Sequence, residues 1–493
     1  MATNVKGTAA SDPVSGENER PPFSHTKVVA TIGPASEDRI DELLDAGMSV
    51  ARLNFSHGTP EEHRRRVEKL RAIADAKMVS LGILVDIPGP KVRLGCFPDG
   101  RVSLKRGDIV RVRQGSGVAE AGEVRVDYEG FLESVRSGHR IFLGDGQVEL
   151  VTKENDGESL VARVRRGGIL ADRRGVHMPD SDIRYELPTA EDRELLKLAR
   201  ELGVDMVGVS FVSRAAELRE VRSIFPEAAI VAKIERALAL ENLDEILAEA
   251  DGIMVARGDL GVELELEQVP LAQKRLIQAA LKEGRFTITA TEMLESMVGS
   301  SRPTRAEVAD VANAVLDGTD AIMLSAETAV GQYPVEAVAT MNRIAHVVEQ
   351  SQRYHDLPKV GFRGAEATFG NATAMAAVQA QEALGLSKIV VFTETGNTAR
   401  LLSRYRPSAE IIALSPNPAT VNHMTVLSSV RPILFRREPS IEDMLYMASE
   451  MLVVRGLADY GTELVFVAGV PPGVAKSTNV MKLHRIGEEV RMH

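Results

Sequence analysis

Eight short, almost wholly apolar segments alternate with segments that carry helix signals in the first two thirds of the chain. They are VVATIG (28–33), VARLNF (50–55), ILVDI (83–87), MVGVSF (206–211), IVAKIE (230–235), GIMVARGD (252–259), FTITATE (286–292) and AIMLSAE (321–327). Parallel strands that are covered by helices on both faces have this near-continuous apolar character. Eight such units predict an α/β fold with a closed (β/α)8 TIM-type barrel. A doubly wound sheet is the alternative, but the sequence has no dinucleotide-type glycine fingerprint, which favours closure.

The intervening segments begin with recognisable caps. TPEEHRRRVEKLRAI has Thr59 as the predicted N-cap, Pro60 at the first helical position and Glu62 completing a capping box. TRAEVADVANAVLDG (304–318) repeats the pattern and closes with a glycine. Both segments are therefore predicted to be helices.

Two regions depart from the strand–helix alternation. Between the third and fourth apolar runs, apolar and polar residues alternate and glycine-rich turns occur, which predicts a small inserted β-barrel domain that acts as a lid. After about residue 350, small-residue helices and the runs KIVVFTE, EIIALSP, PILFR and ELVFVAGV predict an open α/β domain. The predicted organisation is a disordered tail (1–22), a barrel (23–90 and 183–350), the lid (91–182) and a C-terminal regulatory domain (351–493).

Charge and composition exclude some classes of protein. The net charge of -11 argues against a nucleic-acid binder held by bulk charge. Cys96 is the only cysteine, so an internal disulfide is impossible. No apolar run is long enough for a transmembrane helix, and the first 22 residues lack the apolar core of a secretory signal. We therefore expect a cytoplasmic protein with neither a nucleic acid nor a membrane as partner.

Polar residues cluster where the predicted strands end, which is the catalytic face of such barrels. They are Arg52, Asn54, Ser56, His57, Asp86, Ser210, Lys233, Glu235, Arg257, Asp259, Thr291, Glu292, Ser325 and Glu327. The carboxylates of Glu235 and Asp259 suit Mg2+ or Mn2+. Lys233 shares a strand face with Glu235 and could neutralise charge on a phosphoryl group or enolate, and Arg52 and Arg93 are candidate phosphate ligands. A purely structural salt-bridge ring is the alternative.

Several long motifs resemble the pyruvate kinase family. They are TIGPASED, ARLNFSHG, AKIE, GIMVARGDLG, ATEMLESM, RPTRAEVADVANAVLDGTDAIMLSAET and GQYPVEAV, and the resemblance extends from about Thr26 to Gly487. It implies phosphoryl transfer from phosphoenolpyruvate to ADP, giving pyruvate and ATP in the last step of glycolysis. It also implies a homotetramer with a regulatory C-terminal domain.

The resemblance assigns roles to individual residues. It implies that Arg52 holds the substrate phosphate, that Lys233 stabilises the transferring group, and that Glu235 and Asp259 bind the divalent metal. The substrate carboxylate would lie at Gly258, Asp259 and Thr291, with Thr291 delivering a proton through water and with Ser325 and Glu327 supporting this network. The implied nucleotide side comprises Asn54, His57, Arg93, Asp145 and Arg174, and the implied monovalent-cation pocket comprises Asn54, Ser56, Asp86 and the carbonyl of Ile87.

The third-strand motif departs from the family pattern. Asp-Thr-Lys-Gly-Pro-Glu is common there, whereas this chain has Asp86-Ile87-Pro88-Gly89-Pro90-Lys91. Family members with Lys at the last position generally do not need K+, because a tethered ammonium replaces the ion. We therefore expect activity without K+, the alternative being a lysine that merely faces solvent. Glu292 and Arg174 replace a common Gln and Lys, and we expect both changes to be tolerated.

The C-terminal segment TETGNT offers a further predicted site. Thr393, Thr395, Gly396, Asn397 and Thr398 follow a strand and could form a phosphate nest, with Ser477 on a second wall. An ordinary connecting loop is the alternative. Relatives that bind fructose 1,6-bisphosphate often have Lys where this chain has Glu394, so we expect a sugar monophosphate or AMP as effector.

Two other functions stay open at this point. A metal-dependent lyase or aldolase could form a pyruvate enolate at Lys233, Glu235 and Asp259, but it would need neither a nucleotide-binding lid nor the C-terminal domain. A catalytically inactive sensor would be expected to have lost one of Lys233, Glu235, Asp259 or Thr291, and all four are present.

Overall fold

The computed structural model describes residues 23–489 apart from 145, 182, 184–185, 358–366 and 472–476. Its strands, in chain order, are β1 (Lys27–Thr31), β2 (Met48–Asn54), β3 (Gly82–Ile87), β4 (Arg93–Leu94), β5 (Arg101–Leu104), β6 (Ile109–Gln114), β7 (Glu123–Asp127), β8 (Arg140–Leu143), β9 (Val148–Asn155), β10 (Leu160–Arg166), β11 (Gly168–Ala171), β12 (Val176–His177), β13 (Met206–Val209), β14 (Ala229–Ile234), β15 (Gly252–Ala256), β16 (Phe286–Ala290), β17 (Ala321–Leu324), β18 (Lys388–Phe392), β19 (Glu410–Ser415), β20 (Val430–Leu434), β21 (Glu463–Gly469) and β22 (Thr478–Arg485).

The helices of the same residues follow in chain order. They are α1 (Ile40–Asp45), α2 (Pro60–Lys77), α3 (Phe131–Ser134), α4 (Ala190–Glu201), α5 (Ala215–Ile224), α6 (Ala237–Glu241), α7 (Leu243–Glu249), α8 (Arg257–Glu263), α9 (Val269–Lys282), α10 (Arg305–Leu316), α11 (Ala326–Ala329), α12 (Pro334–Glu349), α13 (Gln352–His355), α14 (Phe369–Leu384), α15 (Asn397–Arg404), α16 (Pro418–His423) and α17 (Ile441–Val454). None of the described helices combines the length and apolar content that crossing a membrane requires.

Eight parallel strands close into a barrel in the order β1-β17-β16-β15-β14-β13-β3-β2. Each of them lies within, or within two residues of, one of the eight apolar runs, and every residue of β1, β3 and β15 is buried. Burial on both faces explains why these runs show no polar alternation. The prediction of a closed (β/α)8 barrel is confirmed, and the open doubly wound alternative is wrong.

The two predicted helix caps are present. The hydroxyl of Thr59 accepts a hydrogen bond from the Glu62 amide, and the Glu62 carboxylate accepts one from the Thr59 amide at 2.8 Å. Thr304 and Glu307 form the same reciprocal pair at the start of α10. These caps satisfy amides that a helix leaves without partners, so they fix where the barrel helices α2 and α10 begin.

A second β layer is inserted between β3 and β13. It comprises a sheet in the order β12-β8-β9-β10-β6-β7-β4 and a separate β11-β5 pair. Val112, Leu143, Leu150 and Leu160 are fully buried in its own hydrophobic core. The layer leaves the barrel after β3, at the strand ends where the polar residues were predicted to gather. The predicted domain limits stay predictions.

The C-terminal layer is a sheet in the order β20-β19-β18-β21-β22, in which β22 runs antiparallel to β21. Four of these strands were predicted. The fifth, β22, was not, because its sequence TNVMKLHR is half exposed and carries little apolar signal. The layer packs against the amino-terminal end of the barrel: a Cβ added at Gly82, the first residue of β3, would lie 2.3 Å from Thr425 Oγ1. The opposite end of the barrel faces the inserted β layer.

Candidate active site

Arg52 and Asp86 form a buried pair across β2 and β3. The Nε and Nη2 atoms of Arg52 donate to Asp86 Oδ2 at 2.9 and 2.7 Å. Its Nη1 donates to Thr31 Oγ1 at 3.0 Å, which holds the guanidinium against the end of β1. The relative exposures of Arg52 and Asp86 are 8% and 2%. Thr31 was not predicted as a site residue, although it is the polar last residue of a barrel strand, which is a usable signal.

Lys233 lies next to this pair and joins it to Glu235. The Nζ atom of Lys233 is 2.8 Å from Ser210 Oγ, 2.8 Å from Glu235 Oε1 and 3.4 Å from Asp86 Oδ2. Burial lowers the pKa of Lys233, but Glu235 and Asp86 outweigh it and the pKa is raised. Burial raises the pKa of Asp86, whereas Arg52 and Lys233 lower it further than burial raises it. Lys233 and Asp86 are therefore both charged at neutral pH.

Glu235 follows β14 and is almost completely buried. Its Oε2 accepts a hydrogen bond from the Phe211 amide at 2.7 Å, and Phe211 adopts a left-handed φ of 58° to present that amide. Burial raises the pKa of Glu235, Lys233 opposes the rise, and the nearby carboxylate of Asp259 adds to it. Two carboxylates that raise each other's cost of ionisation are a natural place for a divalent cation.

The donor set fits a hard divalent cation. Glu235 and Asp259 offer oxygen ligands, and each carboxylate oxygen of Glu235 keeps a lone pair beyond its present hydrogen bond. Within the described residues no group of three or more His, Cys, Asp and Glu side chains could hold a metal. A site with Glu235 and Asp259 as its two carboxylate ligands would leave coordination positions for substrate or water, as Mg2+ sites in phosphoryl-transfer enzymes usually do.

Thr291 occupies a strained position at the end of β16. Its φ is 64°, and that of Glu292 is 54°, which is uncommon for residues other than glycine. The Thr291 hydroxyl accepts from the Gly258 amide at 2.8 Å and donates to the Ala290 carbonyl at 2.8 Å. These bonds fix the Thr291 hydroxyl at the first turn of α8. The same turn contains Asp259.

Arg257 maintains this strained turn. Its Nη2 donates to the Thr291 carbonyl at 2.6 Å, and its Nη1 donates to both carboxylate oxygens of Asp310 at 2.8 and 2.6 Å. Arg257 was predicted as a strand-end residue without a role, and Asp310 was not predicted at all. Because Asp310 lies within α10, no strand-end pattern could have indicated it.

Glu327 connects two neighbouring loops of the barrel mouth. Its Oε2 accepts from the Ser325 amide at 2.7 Å, and its Oε1 accepts from the Leu294 amide at 3.1 Å. It is 1% exposed. A buried carboxylate with two amide donors is a rigid element, so Glu327 fixes the loops after β16 and β17 relative to each other.

Lys91 lies in the segment between β3 and β4 and contacts the loop after β2. Its Nζ donates to Ser56 Oγ at 3.3 Å, and the Ser56 amide donates to Asn54 Oδ1 at 3.1 Å. Although much of its side chain is exposed, partial burial together with the like charges of Lys233 and Arg93 lowers the pKa of Lys91. The Ile87 carbonyl accepts from Ser210 Oγ at 2.8 Å. Of the predicted monovalent-cation residues, Ser56 contacts Lys91, whereas Asp86 is engaged by Arg52 and Lys233.

The remaining predicted nucleotide-side residues lie on the exposed rim. Arg93 Nη1 donates to the Arg173 carbonyl at 3.2 Å, and the Arg174 carbonyl accepts from the Leu94 amide at 2.8 Å. The His57 side chain is exposed beside Asn54. Asp145 lies outside the described residues.

Comparisons with known proteins agree with this architecture. The family model described as "Pyruvate kinase, barrel domain" matches residues 23–338, and "Pyruvate kinase, alpha/beta domain" matches residues 371–484. The chain belongs to the pyruvate kinase family. A pyruvate kinase of Methylorubrum extorquens (strain AM1) is 40% identical over 94% of this chain and 98% of its own length. One of Staphylococcus aureus (strain MRSA252) is 40% identical over 94% of this chain and 81% of its own length.

Membership of the pyruvate kinase family fixes the reaction. The chain is a phosphotransferase whose substrates are phosphoenolpyruvate and ADP and whose product is pyruvate. The family generally requires a divalent metal. The alternatives of a barrel lyase or aldolase and of an inactive sensor are therefore wrong.

The predicted effector loop of this pyruvate kinase connects β18 to α15. The Thr393 hydroxyl accepts from the Gly396 amide at 3.0 Å, and Gly396 has a φ of 79°. The Thr398 and Thr478 hydroxyls are 2.6 Å apart, which joins α15 to β22. Thr395 is exposed, the Asn397 side chain accepts from Arg400 at 2.8 Å, and Ser477 directly precedes β22.

Proposed function

We propose that the cluster of Arg52, Asp86, Lys233 and Glu235 is the phosphoryl-transfer site of this pyruvate kinase. The observation that carries the proposal is the position of Lys233 Nζ, 2.8 Å from Glu235 and 3.4 Å from Asp86 at the carboxyl ends of the strands. The charges of the cluster pair with one another and are buried, as in a structural salt-bridge ring, so it is their place in the fold that favours catalysis. Here they line the barrel end at which active sites of this fold lie.

In this proposal Arg52 and Lys233 bind the phosphoryl group. The Arg52 guanidinium is oriented by Asp86 and Thr31, so little conformational entropy is lost when it binds phosphate. The ammonium of Lys233 stays charged and offsets negative charge that develops during transfer. Glu235 and Asp259 would hold Mg2+ or Mn2+, and the bound ion supplies positive charge beside the transferring group.

Thr291 and its neighbours serve the pyruvate part of the substrate. The amides of Gly258 and Asp259 lie at the start of α8, where the helix N-terminus favours a carboxylate. The Thr291 hydroxyl, fixed by its bond with Gly258, is placed to pass a proton to the enolate of pyruvate through a water molecule. The hydrogen bond between Ser325 and Glu327 helps to hold the loops after β16 and β17 in place for this step.

The nucleotide and the ammonium of Lys91 occupy the side of the barrel mouth that faces the inserted β layer. We assign ADP binding to Asn54, His57, Arg93, Asp145 and Arg174. The pocket of Asn54, Ser56, Asp86 and the Ile87 carbonyl holds the ammonium of Lys91 in place of K+, and the 3.3 Å contact of Lys91 with Ser56 supports this role. The enzyme would then work without K+.

Regulation is assigned to the C-terminal layer. The proposed effector, a sugar monophosphate or AMP, binds at Thr393, Thr395, Gly396, Asn397, Thr398 and Ser477. Support comes from the left-handed Gly396 directly before α15, a conformation in which successive amides can surround a phosphate. We further propose that the enzyme is a cytoplasmic homotetramer.

A steady-state assay tests the proposal. Purified enzyme is dialysed free of monovalent cations and supplied with phosphoenolpyruvate, ADP and Mg2+, and pyruvate release is measured with and without K+ and with a panel of sugar phosphates and AMP. We expect full turnover without K+ and a lower half-saturating phosphoenolpyruvate concentration with a monophosphate. An absolute K+ requirement would contradict the role of Lys91, and no response to any effector would contradict the regulatory site.

A further inference from the structure

Gly208 lies within barrel strand β13, beside the proposed phosphoryl-transfer cluster. It is the register partner of Asp86 on β3 and of Val231 on β14. Met206 and Leu84, which lie two residues earlier on β13 and β3, pack in one buried cluster. Side chains alternate along a strand, so Gly208 and Asp86 both face the interior of the barrel.

The backbone conformation of Gly208 does not require glycine. Its φ lies outside the left-handed region, so any L-residue can adopt this conformation. Glycine in the interior of a strand weakens the strand and often marks a place that another group approaches closely. The reason for a glycine at position 208 is therefore to be found in its surroundings.

The carboxylate of Asp86 occupies the space that a side chain at position 208 would need. A Cβ added at Gly208 would overlap Asp86 Oδ1 and would lie 3.1 Å from Asp86 Cγ. The next nearest atom is Lys233 Cδ at 3.5 Å, which is an ordinary contact, so the conflict is confined to Asp86. Among the residues that the structure describes, Asp86 Oδ1 is buried without a hydrogen-bond partner. Packing against Gly208, and not a donor, therefore places this oxygen.

The other carboxylate oxygen of Asp86 makes the contacts to the cluster. Arg52 Nε and Nη2 donate to Asp86 Oδ2 at 2.9 and 2.7 Å, and Lys233 Nζ lies 3.4 Å from the same atom. Because the two oxygens belong to one planar group, a displacement of Oδ1 moves Oδ2 as well. A side chain at position 208 would therefore move the acceptor that orients the Arg52 guanidinium.

We propose that Gly208 is a positioning residue for phosphoryl transfer, because its missing side chain sets the place of the Asp86 carboxylate and, through it, that of Arg52. The inference rests on the phosphoryl-transfer role proposed for the cluster. Gly208 acts through Asp86 and carries no reactive group itself. A displacement of about 1 Å at a catalytic site can cost about 10²-fold in rate, so the size of residue 208 should control turnover.

The test compares Gly208→Ala with the unaltered enzyme in the presence of Mg2+. The measured quantities are kcat and the half-saturating concentrations of phosphoenolpyruvate and ADP. We expect kcat/KM for phosphoenolpyruvate to fall by about 10²-fold. The half-saturating ADP concentration should stay unchanged, because ADP is assigned to other residues. A general loss of stability would not separate the two substrates in this way. A folded Gly208→Ala enzyme with unchanged phosphoenolpyruvate kinetics would overturn the proposal.

Gly252→Ala is the matched control. Gly252 is buried at the start of β15, at the opposite end of the barrel, and a Cβ there would overlap the Phe286 ring. We expect this variant to have a lower Tm and unchanged half-saturating concentrations of both substrates. Equal kinetic losses in Gly252→Ala and Gly208→Ala would refute the proposal, because position 208 would then act only through the stability of the barrel.

Asp86→Ala distinguishes this proposal from the proposed function of the cluster. Removal of the carboxylate leaves room for a Cβ at position 208, so Gly208→Ala should cost nothing further in the Asp86→Ala background. If Asp86→Ala leaves phosphoenolpyruvate kinetics unchanged, the proposed function of the cluster fails and this inference fails with it. If Asp86→Ala impairs the kinetics and the loss caused by Gly208→Ala simply adds to it, the function stands and the role of Gly208 is refuted.

Folding provides a second measurement. If Gly208→Ala does not fold, Gly208→Ala/Asp86→Ala is expected to fold, because the conflict is confined to the Asp86 carboxylate. A double variant that stays unfolded would refute the proposal.

Discussion

The Nζ atom of Lys233 lies 2.8 Å from Glu235 Oε1, and the two residues are two positions apart at the end of one barrel strand. Side chains alternate between the two faces of a strand, so residues two positions apart lie on the same face. The backbone conformation therefore brings Lys233 and Glu235 together. The same ammonium reaches Asp86 on β3 and thereby connects the proposed metal ligand to the proposed phosphate ligand Arg52. A change at Lys233 should therefore affect catalysis more than assembly.

We expect Lys233→Met to reduce kcat by at least about 10³-fold. Removal of one preorganised charge or donor at a transition state typically costs about 10²–10³-fold, and Lys233 also orients Glu235. The measurement is kcat with phosphoenolpyruvate, ADP and Mg2+ at saturation, with circular dichroism to verify folding.

Lys197→Met is the control for this change. Lys197 lies on the exposed face of α4 and, among the residues that the structure describes, pairs only with Glu194, so turnover should be unchanged. A folded Lys233→Met enzyme with more than about a tenth of normal kcat would show that the cluster is structural, since a tenfold change corresponds to only about 1.4 kcal/mol of barrier.

Lys91→Glu should convert the enzyme to K+ dependence. The substitution removes the tethered cation beside Ser56 and adds a carboxylate there, and K+ can then supply the missing positive charge. We expect kcat without K+ to fall by about tenfold or more and to recover when K+ is added. Rates are measured across a K+ series, with tetramethylammonium chloride holding ionic strength constant.

Lys105→Glu provides the matched change of charge for this experiment. Lys105 is exposed in the inserted layer, and its variant should stay independent of K+. If Lys91→Glu keeps full activity without K+, Lys91 is a surface residue and the pocket does not use its ammonium.

The strand ends of the site could be predicted from the sequence, whereas the contacts that orient them could not. Lys233 and Glu235 are conspicuous because they interrupt apolar runs. Thr31 and Ser210, which hold Arg52 and Lys233, are ordinary polar residues whose importance depends on which strands are neighbours in the barrel. Asp310 is harder still to predict, because its bond to Arg257 joins a helix to a strand end that is far away in the chain.

Lys27 makes stability depend on pH in the alkaline range. It is buried at the start of β1, with its Nζ 3.4 Å from the Ser24 carbonyl and over the Phe23 ring. Burial, with the like charge of Arg431, lowers the pKa of Lys27 from 10.5 to about 8. Below pH 8 both folded and unfolded chains hold the proton, so the cost of the buried ammonium is fully present there.

Between pH 8 and 10.5 the unfolded chain binds this proton and the folded chain does not, so stability rises with pH. The shift corresponds to about 3 kcal/mol. We expect the free energy of unfolding of the unaltered enzyme to rise relative to Lys27→Met by up to that amount, measured in urea from pH 7 to 10. A difference between the two proteins that is constant over this range would contradict the assignment.

Glu394 and Arg437 form an ion pair beside the proposed effector loop. Arg437 Nε and Nη2 donate to the two Glu394 oxygens at 3.1 and 2.7 Å, and the Glu394 carbonyl accepts from the Thr420 hydroxyl at 3.0 Å. The Arg437 guanidinium is therefore already bound to a carboxylate of the protein itself. A second phosphate group would have to compete with that carboxylate, which favours a monophosphate as effector.

Glu394→Lys should therefore make the enzyme respond to fructose 1,6-bisphosphate. The substitution removes the competing carboxylate, frees Arg437 and adds an ammonium, so the loop gains two available positive charges. We expect the bisphosphate to lower the half-saturating phosphoenolpyruvate concentration of the variant by about fivefold or more, the lower end of typical allosteric coupling, and to leave the unaltered enzyme unaffected. Glu463→Lys is the control, because it breaks a similar exposed pair, that with Arg485, at the edge of the same sheet. An equal response of both variants would mean that added charge acts through the general field of the domain, since a specific site requires the effect to be confined to position 394.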